Sequence, residues 1–108
     1  MSKIKVVRAE QEYLEFSDGT TITSQHDADC CEYNYADFTA IDDLAREWEF
    51  EHPILFEESD YGFRFGNKDK MVFVPCYSCQ NGYYSYSVDI YYNGKPVFER
   101  LECADINE

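Results

Sequence analysis

The sequence predicts an α+β domain, mostly antiparallel β-sheet with one short α-helix packed on it. Short runs of β-branched and aromatic residues alternate with turn signals, which is typical of strands. One segment instead carries apolar residues at helical spacing. The chain has 108 residues, 44% hydrophobic and 18% aromatic. Its length fits a single domain over residues 1–108. That domain is expected to be folded, because so many aromatic residues are not typical of a disordered chain.

The first quarter of the chain predicts three strands and then a loop. The strands are KIKVVRA at residues 3–9, EYLEF at 12–16 and TTITS at 20–24. Ser17-Asp18-Gly19 predicts a hairpin turn between the last two, because glycine tolerates the positive φ of a tight turn. HDADCCEYNYADF, residues 26–38, has neither helical nor strand periodicity, so an ordered loop is expected there.

The helix is predicted inside residues 38–49. Ile41, Leu44, Ala45 and Trp48 lie at positions i, i+3, i+4 and i+7 and form one apolar stripe, of which Ile41, Leu44 and Trp48 are expected to be buried. Thr39 followed by Asp42 resembles a capping box, which would start the helix. Pro53 prevents its continuation.

The rest of the chain predicts further strands. These are ILFEE at 54–58, YGFRFG at 61–66, MVFVPCYS at 71–78 and YYSYSVDIYY at 83–92. Alternation in the last run predicts one buried face, consisting of Tyr84, Tyr86, Val88, Ile90 and Tyr92. Asn81-Gly82 and Asn93-Gly94 are turn dipeptides on either side of it. Residues 71–101 are therefore expected to form a three-stranded antiparallel meander.

Charge is the strongest compositional feature. The chain has 22 acidic and 9 basic residues, a net charge of −13, and residues 10–60 hold sixteen acidic residues against Arg46 alone. Direct binding of nucleic acid is not expected, since that needs a cationic surface. A solvated acidic surface that only aids solubility is one interpretation. The alternative is a docking face for a basic partner protein, such as a nucleic-acid-binding enzyme.

The acidic residues between 42 and 60 are the candidate partner-binding set. Carboxylates at such intervals can imitate a row of phosphates and occupy the nucleic-acid groove of a basic enzyme. The set comprises Asp42, Asp43, Glu47, Glu49, Glu51, Glu57, Glu58 and Asp60.

The cysteines predict free thiols. There are five, and without a secretory signal a disulfide framework is not expected. Zinc binding is the alternative, since the loop at 26–32 combines thiolate, imidazole and carboxylate groups. Cys76 and Cys79 have the spacing of a ligand pair, whereas Cys30 and Cys31 are directly adjacent, and adjacent cysteines rarely bind the same ion. Buried thiols and no cofactor are therefore favoured. The ligands, if a metal were bound, would be His26, Asp29, Cys30 and Cys31, with Asp27 and Glu32 beside them.

An enzyme is not expected. A redox function of Cys76 and Cys79 needs a helix N-terminus to lower a thiol pKa, and this motif follows a strand. A nucleophilic pair of Cys30 with His26 or His52 lacks a glycine-rich oxyanion segment. The chain also contains neither a phosphate-binding glycine loop nor an apolar run long enough for a signal peptide or membrane span. A soluble protein of the cytoplasm is expected.

Two strings resemble the signatures of a family of small domains of unknown function found in bacteria and their phages. HDADCCEYNYADF resembles its "DCCE" loop and YSCQNGYYSYSVDIYY its "NGYYS" strand, whereas the opening hairpin and IDDL at 41–44 match more loosely. Cys76 and Cys79 lie outside the pattern. The residues that carry the resemblance are Cys30, Cys31, Glu32, Asn81, Gly82, Tyr83 and Tyr84.

The resemblance implies no reaction, and a phage setting favours a small acidic inhibitor by analogy. The expected function is therefore that of a non-enzymatic, phage-encoded interaction protein, such as an anti-CRISPR or DNA-mimic inhibitor of a host defence nuclease. A zinc-binding domain and a small enzyme remain the alternatives.

Overall fold

A computed structural model describes residues 3–25, 32–43, 47–80 and 87–105, and these residues form strands almost throughout. No helix among them is long and apolar enough to cross a membrane. The elements, in chain order, are β1 (Val6–Glu10), β2 (Tyr13–Phe16), β3 (Thr21–Gln25), β4 (Glu32–Ala36), a 3-10 turn (Phe38–Ile41), β5 (Leu55–Ser59), β6 (Gly62–Asn67), β7 (Lys70–Gln80), β8 (Ser87–Tyr92), β9 (Lys95–Glu102) and β10 (Ala104–Asp105).

The strands form two sheets. The first has the order β1-β2-β3-β8-β9, and the second has the order β10-β7-β6-β5, with β4 paired to the C-terminal half of β7. All these pairings are antiparallel except that of β10 with β7. The predicted α+β class is therefore wrong, because the described residues are nearly all antiparallel β-sheet.

The predicted hairpins are largely confirmed. β2 and β3 pair through the turn at Gly19, whose φ is 91°. The backbone N–H of Thr20 donates to Asp18 Oδ1 at 3.0 Å and stabilises this turn. β5 also pairs with β6 and β6 with β7, so short turns join these neighbouring strands as well.

The predicted meander over residues 71–101 is wrong. β8 pairs with β3 and β9 in the first sheet, whereas β7 pairs with β6, β4 and β10 in the second. Only the β8–β9 hairpin at Asn93-Gly94 is confirmed. Val88 and Ile90 are buried and Tyr92 is half-buried, in agreement with the predicted face, while Tyr84 and Tyr86 lie outside the described residues.

One hydrophobic core contains side chains from both sheets. Its largest fully buried members are aromatic, and their rings meet edge-on or tilted, which is the favourable arrangement for ring pairs. Phe16 of β2 is 6.0 Å from Phe65 of β6, and Phe50 is 5.7 Å from each of them, measured between ring centroids. These contacts join the two sheets.

Within the range 38–49, where the sequence predicts a three-turn helix, residues 38–41 form the 3-10 turn, residues 42–43 continue it with helical geometry, and residues 47–49 are not helical, whereas residues 44–46 lie outside the described part of the chain. Asp37, not Thr39, caps the turn, and its Oδ1 accepts a hydrogen bond from the Thr39 N–H at 3.1 Å. Ile41 is buried as predicted, Trp48 is half-buried, and Leu44 and Ala45 lie outside the described residues. At the end of the segment, Phe50 pairs with Ile4 through two 2.8 Å backbone hydrogen bonds.

The described residues 47–49 are not helical because Phe50 is extended in the bridge to Ile4 and buried in the core, and this tertiary contact outweighs a weak local preference. Ile41 and Phe50 both reach the core from the turn and the bridge, so a continuous helix is not needed to bury them. A short helix receives most of its stability from packing rather than from propensity.

The loop predicted at 26–38 is also wrong in part. Residues 32–36 form β4, which pairs along its whole length with β7. The sequence did not indicate this strand, because Asn34 is polar although its side chain is only 1% exposed. Its side-chain N–H donates to the Ser87 carbonyl at 2.8 Å, so a hydrogen bond between the sheets compensates for its burial.

Candidate functional site

The predicted acidic residues lie in three stretches of the surface. One stretch follows the 3-10 turn, the second precedes β5, and the third is β5 with the turn after it. Two side chains are half-buried and the others exposed. The stretches contain Asp42 and Asp43; Glu47, Glu49 and Glu51; and Glu57, Glu58 and Asp60, with Asp42 and Glu51 the half-buried members.

The ionic surroundings of these carboxylates differ. Glu57 Oε1 accepts a hydrogen bond from Arg64 at 2.9 Å, so its charge is locally compensated. Within the described part of the chain, five of the others have no ion pair, and they are exposed to solvent. Those five are Asp43, Glu47, Glu49, Glu58 and Asp60.

Glu49 and Glu51 share a cleft of about 210 Å³ that opens to solvent. The segment is held there by Asn67, whose Oδ1 accepts from the Glu51 N–H at 2.8 Å and whose Nδ2 donates to the Glu51 carbonyl at 2.6 Å. The residues lining the cleft are Lys3, Glu49, Glu51, Asn67, Asp69 and Lys70.

The cleft is a mixed-charge site rather than a uniformly acidic one. Three carboxylates face two ammonium groups, and the Lys70 Nζ also lies 5.4 Å from the centre of the Trp48 ring, in a cation–π contact. The sequence did not indicate Lys3 and Lys70, which come from distant parts of the chain. The carboxylates at this cleft can accept hydrogen bonds from a partner's Lys or Arg, in competition with these two lysines.

A second polar constellation joins Asp18, His52 and Tyr92. His52 Nε2 is 2.8 Å from Asp18 Oδ2, and its Nδ1 is 3.2 Å from the Tyr92 hydroxyl. The hydrogen bond from His52 and that from the Thr20 N–H lower the pKa of Asp18 to about 2. Burial, and then the charge of Asp18, raise the pKa of Tyr92.

This constellation acts as a surface clamp. It ties the β2–β3 turn and the end of β8 to the segment before β5, and thus links the two sheets at one end. The sequence offered His52 only as a possible partner of Cys30 and did not indicate this constellation, because Asp18 and Tyr92 lie 34 and 40 residues away from it. The raised pKa of Tyr92 keeps its phenol protonated, which is the opposite of an activated nucleophile.

The clamp predicts a specific acid sensitivity. Asp18 has a lower pKa in the folded state than the ~3.9 of an unfolded chain, so its stabilising contribution is present above about pH 4 and is lost as the pH falls towards 2. We expect Asp18→Asn to be less stable than the wild type at pH 7, with the difference shrinking as the pH falls from about 4 and vanishing only below pH 2.

Urea denaturation over this pH range measures the effect. Asp89→Asn is the control variant. The Asp89 carboxylate accepts a hydrogen bond from the Arg100 N–H at 3.0 Å, but among the described residues it has no histidine partner. A stability difference between wild type and Asp18→Asn that is independent of pH would contradict the assignment.

The predicted zinc ligands His26, Asp27, Asp29, Cys30 and Cys31 lie outside the described residues, as does the side chain of Glu32. Cys76 is buried in the core, where its hydrogen bond with Cys103 and then burial raise the pKa of its thiol. Position 79 also belongs to β7, but the Cys79 side chain lies outside the described part of the structure. No metal-binding group of three or more residues occurs among the described ones.

The predicted free thiols are confirmed for Cys76 and Cys103, both unbridged. The register of β10 on β7 aligns Ala104 with Tyr77, so the preceding residues Cys103 and Cys76 come side by side in the core. The raised pKa keeps the Cys76 thiol protonated, which makes it a poor nucleophile, since the thiolate is the reactive form. Both cysteine side chains are buried and pack in the core.

In the part of the chain that the structure describes, the fold and the surface define a strongly acidic, nearly all-β protein, in which five of the candidate carboxylates are exposed and have no ion pair with another described residue. Residues 1–90 match the family described as Domain of unknown function (DUF7448). The chain belongs to this family. Neither the curated proteins nor the solved structures contain a significant match.

Proposed function

We propose that this protein is a non-enzymatic interaction protein that binds a basic partner protein through its carboxylates between residues 42 and 60. The observation that supports this most is that Asp43, Glu47, Glu49, Glu58 and Asp60 are exposed and unpaired within the described part. Unpaired negative charges at a surface steer a cationic partner from a distance and then pair with its Lys and Arg side chains.

The concrete form of the proposal is an inhibitor encoded by a phage and acting in the cytoplasm of its bacterial host. Spaced carboxylates would occupy the phosphate-binding groove of a host defence nuclease, as a DNA mimic or anti-CRISPR protein does. The net charge of −13 supports such a role, because the groove of a nuclease is cationic. Glu57 is the weakest member of the set, since Arg64 already pairs with it.

The test compares two variants with the same change in net charge. Glu47→Gln/Glu49→Gln removes two unpaired carboxylates of the proposed face, and Glu99→Gln/Glu102→Gln removes two exposed ones from β9. Immobilised protein is incubated with bacterial lysate at low and high salt. We expect a protein retained by the wild type and the β9 variant to be lost from the Glu47/Glu49 variant, and to elute as salt rises.

Equal retention by both variants would show that only total charge matters and would contradict a specific face. Retention that strengthens with salt would also contradict the proposal, because screening weakens attraction between opposite charges. Thermal melting of both variants serves as the folding control, and exposed substitutions of this kind are expected to change stability by less than about 0.5 kcal/mol.

A further inference from the structure

The outward face of β7 is apolar, although it is exposed to solvent. Successive residues of a strand alternate between its two faces. Val72 and Val74 point into the core, so Met71, Phe73 and Pro75 point outward. Phe73 is 40% exposed. A strand with apolar residues on both faces is typical of one that is covered on both sides.

The neighbouring strands extend this apolar surface. In the register of the second sheet, Leu55 lies opposite Gly66, which lies opposite Met71. Leu55 thus shares the outward face, where it is 42% exposed. We name as the outer patch the four residues Leu55, Met71, Phe73 and Pro75.

The outer patch is centred on a close packing between two strands. A Cβ atom on Gly62 would lie 2.8 Å from Cζ of Phe73, so the ring occupies the space that a side chain on β6 would need. Phe73 therefore lies against the sheet instead of projecting from it. A low, apolar sheet face of this kind can pack against a second sheet at close range.

The low charge of the outward face favours a second copy of this chain as the molecule that covers the outer patch. The described positions on the outward face of β5, β6 and β7 carry one acidic and one basic side chain, Glu57 and Arg64, whereas the whole chain carries −13. A basic partner is attracted to the acidic stretches, but two copies of this chain repel each other least where they are nearly neutral. Glu57 lies opposite Arg64, and Arg64 opposite Phe73, so one charge of each sign adjoins the patch.

We propose that the outer patch is the interface of a homodimer, in which two copies pack the outward faces of β5, β6 and β7 against each other about a two-fold axis. Within each copy Arg64 donates to Glu57 Oε1 at 2.9 Å, so this pair is already neutralised beside the patch and does not repel the second copy. The apolar patch supplies the buried centre and the ion pairs its polar rim.

Sedimentation velocity over a range of protein concentrations tests the dimer. The wild type is expected to show a monomer–dimer equilibrium, and Phe73→Glu to raise the dissociation constant about tenfold or more, because a charge enters the apolar centre from each copy. Val7→Glu is the matched control, since Val7 is 48% exposed on β1 of the other sheet and receives the same charge. A wild type that stays monomeric at every concentration, or an equal effect of the control, overturns the proposal.

Charge reversal provides a second test that leaves the apolar residues intact. Glu57→Arg and Arg64→Glu each leave two like charges beside the outer patch of each copy and are expected to weaken the dimer, whereas the double variant restores a neutral pair within each copy and should recover it. Failure of the double variant to recover, with melting temperatures unchanged, contradicts the placement of this pair at the interface. Rising salt should strengthen the dimer, because it screens the net repulsion between two acidic chains. Binding of a basic partner should instead weaken with salt and uses other residues, so failure of the dimer test leaves the proposed function unaffected.

Discussion

Phe65→Ala is expected to lower the free energy of unfolding by about 3–5 kcal/mol, the usual cost of truncating a buried phenylalanine. Phe65 is fully buried, and its ring centroid lies 6.0 Å from that of Phe16 and 5.7 Å from that of Phe50. The substitution leaves a cavity between the two sheets. Since domains of this size are stable by about 5–15 kcal/mol, the substitution removes a large share of the total stability.

Phe73→Ala is the matched control for this prediction. It removes the same atoms from the same sheet, but from the outward face, where Phe73 is 40% exposed. Urea denaturation of monomeric protein at low concentration measures both variants. We expect the loss for Phe73→Ala to be about 1 kcal/mol or less. Similar losses for the two would show that the sheet faces are assigned wrongly.

Gly66→Ala is expected to cost about 3 kcal/mol, and its effect should extend to the cleft. Gly66 has a φ of +145°, and a Cβ atom there would lie 2.2 Å from the Lys70 carbonyl oxygen. Both the backbone conformation and the collision oppose a side chain. The backbone must shift to relieve the contact, and Asn67, which follows directly, fixes the Glu51 backbone.

Gly94→Ala separates backbone strain from collision. Gly94 also has a positive φ, +82°, but no atom lies within 4 Å of its hypothetical Cβ. Its substitution should cost only about 1–2 kcal/mol, the price of a left-handed conformation for alanine. Thermal and urea denaturation of both variants provide the comparison. If Gly66→Ala is no more destabilising than Gly94→Ala, the close approach at Lys70 is not present.

The two proposed interactions make opposite demands on the surface. Binding of a basic partner uses exposed carboxylates that repel a second copy of the chain, and so it weakens with salt. The homodimer uses the nearly neutral outer patch and is favoured by salt. Glu57 belongs to the predicted acidic set but lies on β5 beside the outer patch and pairs with Arg64. We therefore assign Glu57 to the second interaction rather than the first.

The candidate site was predictable only in part. The charge pattern of the sequence indicated the acidic residues between 42 and 60. In the structure six of these eight side chains are exposed and two are half-buried, as is typical of charged side chains. The chain pattern did not indicate that Arg64 pairs with Glu57, or that Lys3 and Lys70 share a cleft with Glu49 and Glu51. Those pairings depend on which strands become neighbours.

By itself, the sequence determined the local features of this protein. Strands alternating with turns at Gly19 and Asn93-Gly94 follow from backbone preferences that act over a few residues. The tertiary structure alone decided that β8 pairs with β3, that residues 32–36 form a strand, and that Phe50 joins Ile4 instead of ending a helix. The physical reason is that burial of side chains and pairing of backbone groups between distant segments outweigh local propensities of a fraction of a kcal/mol per residue.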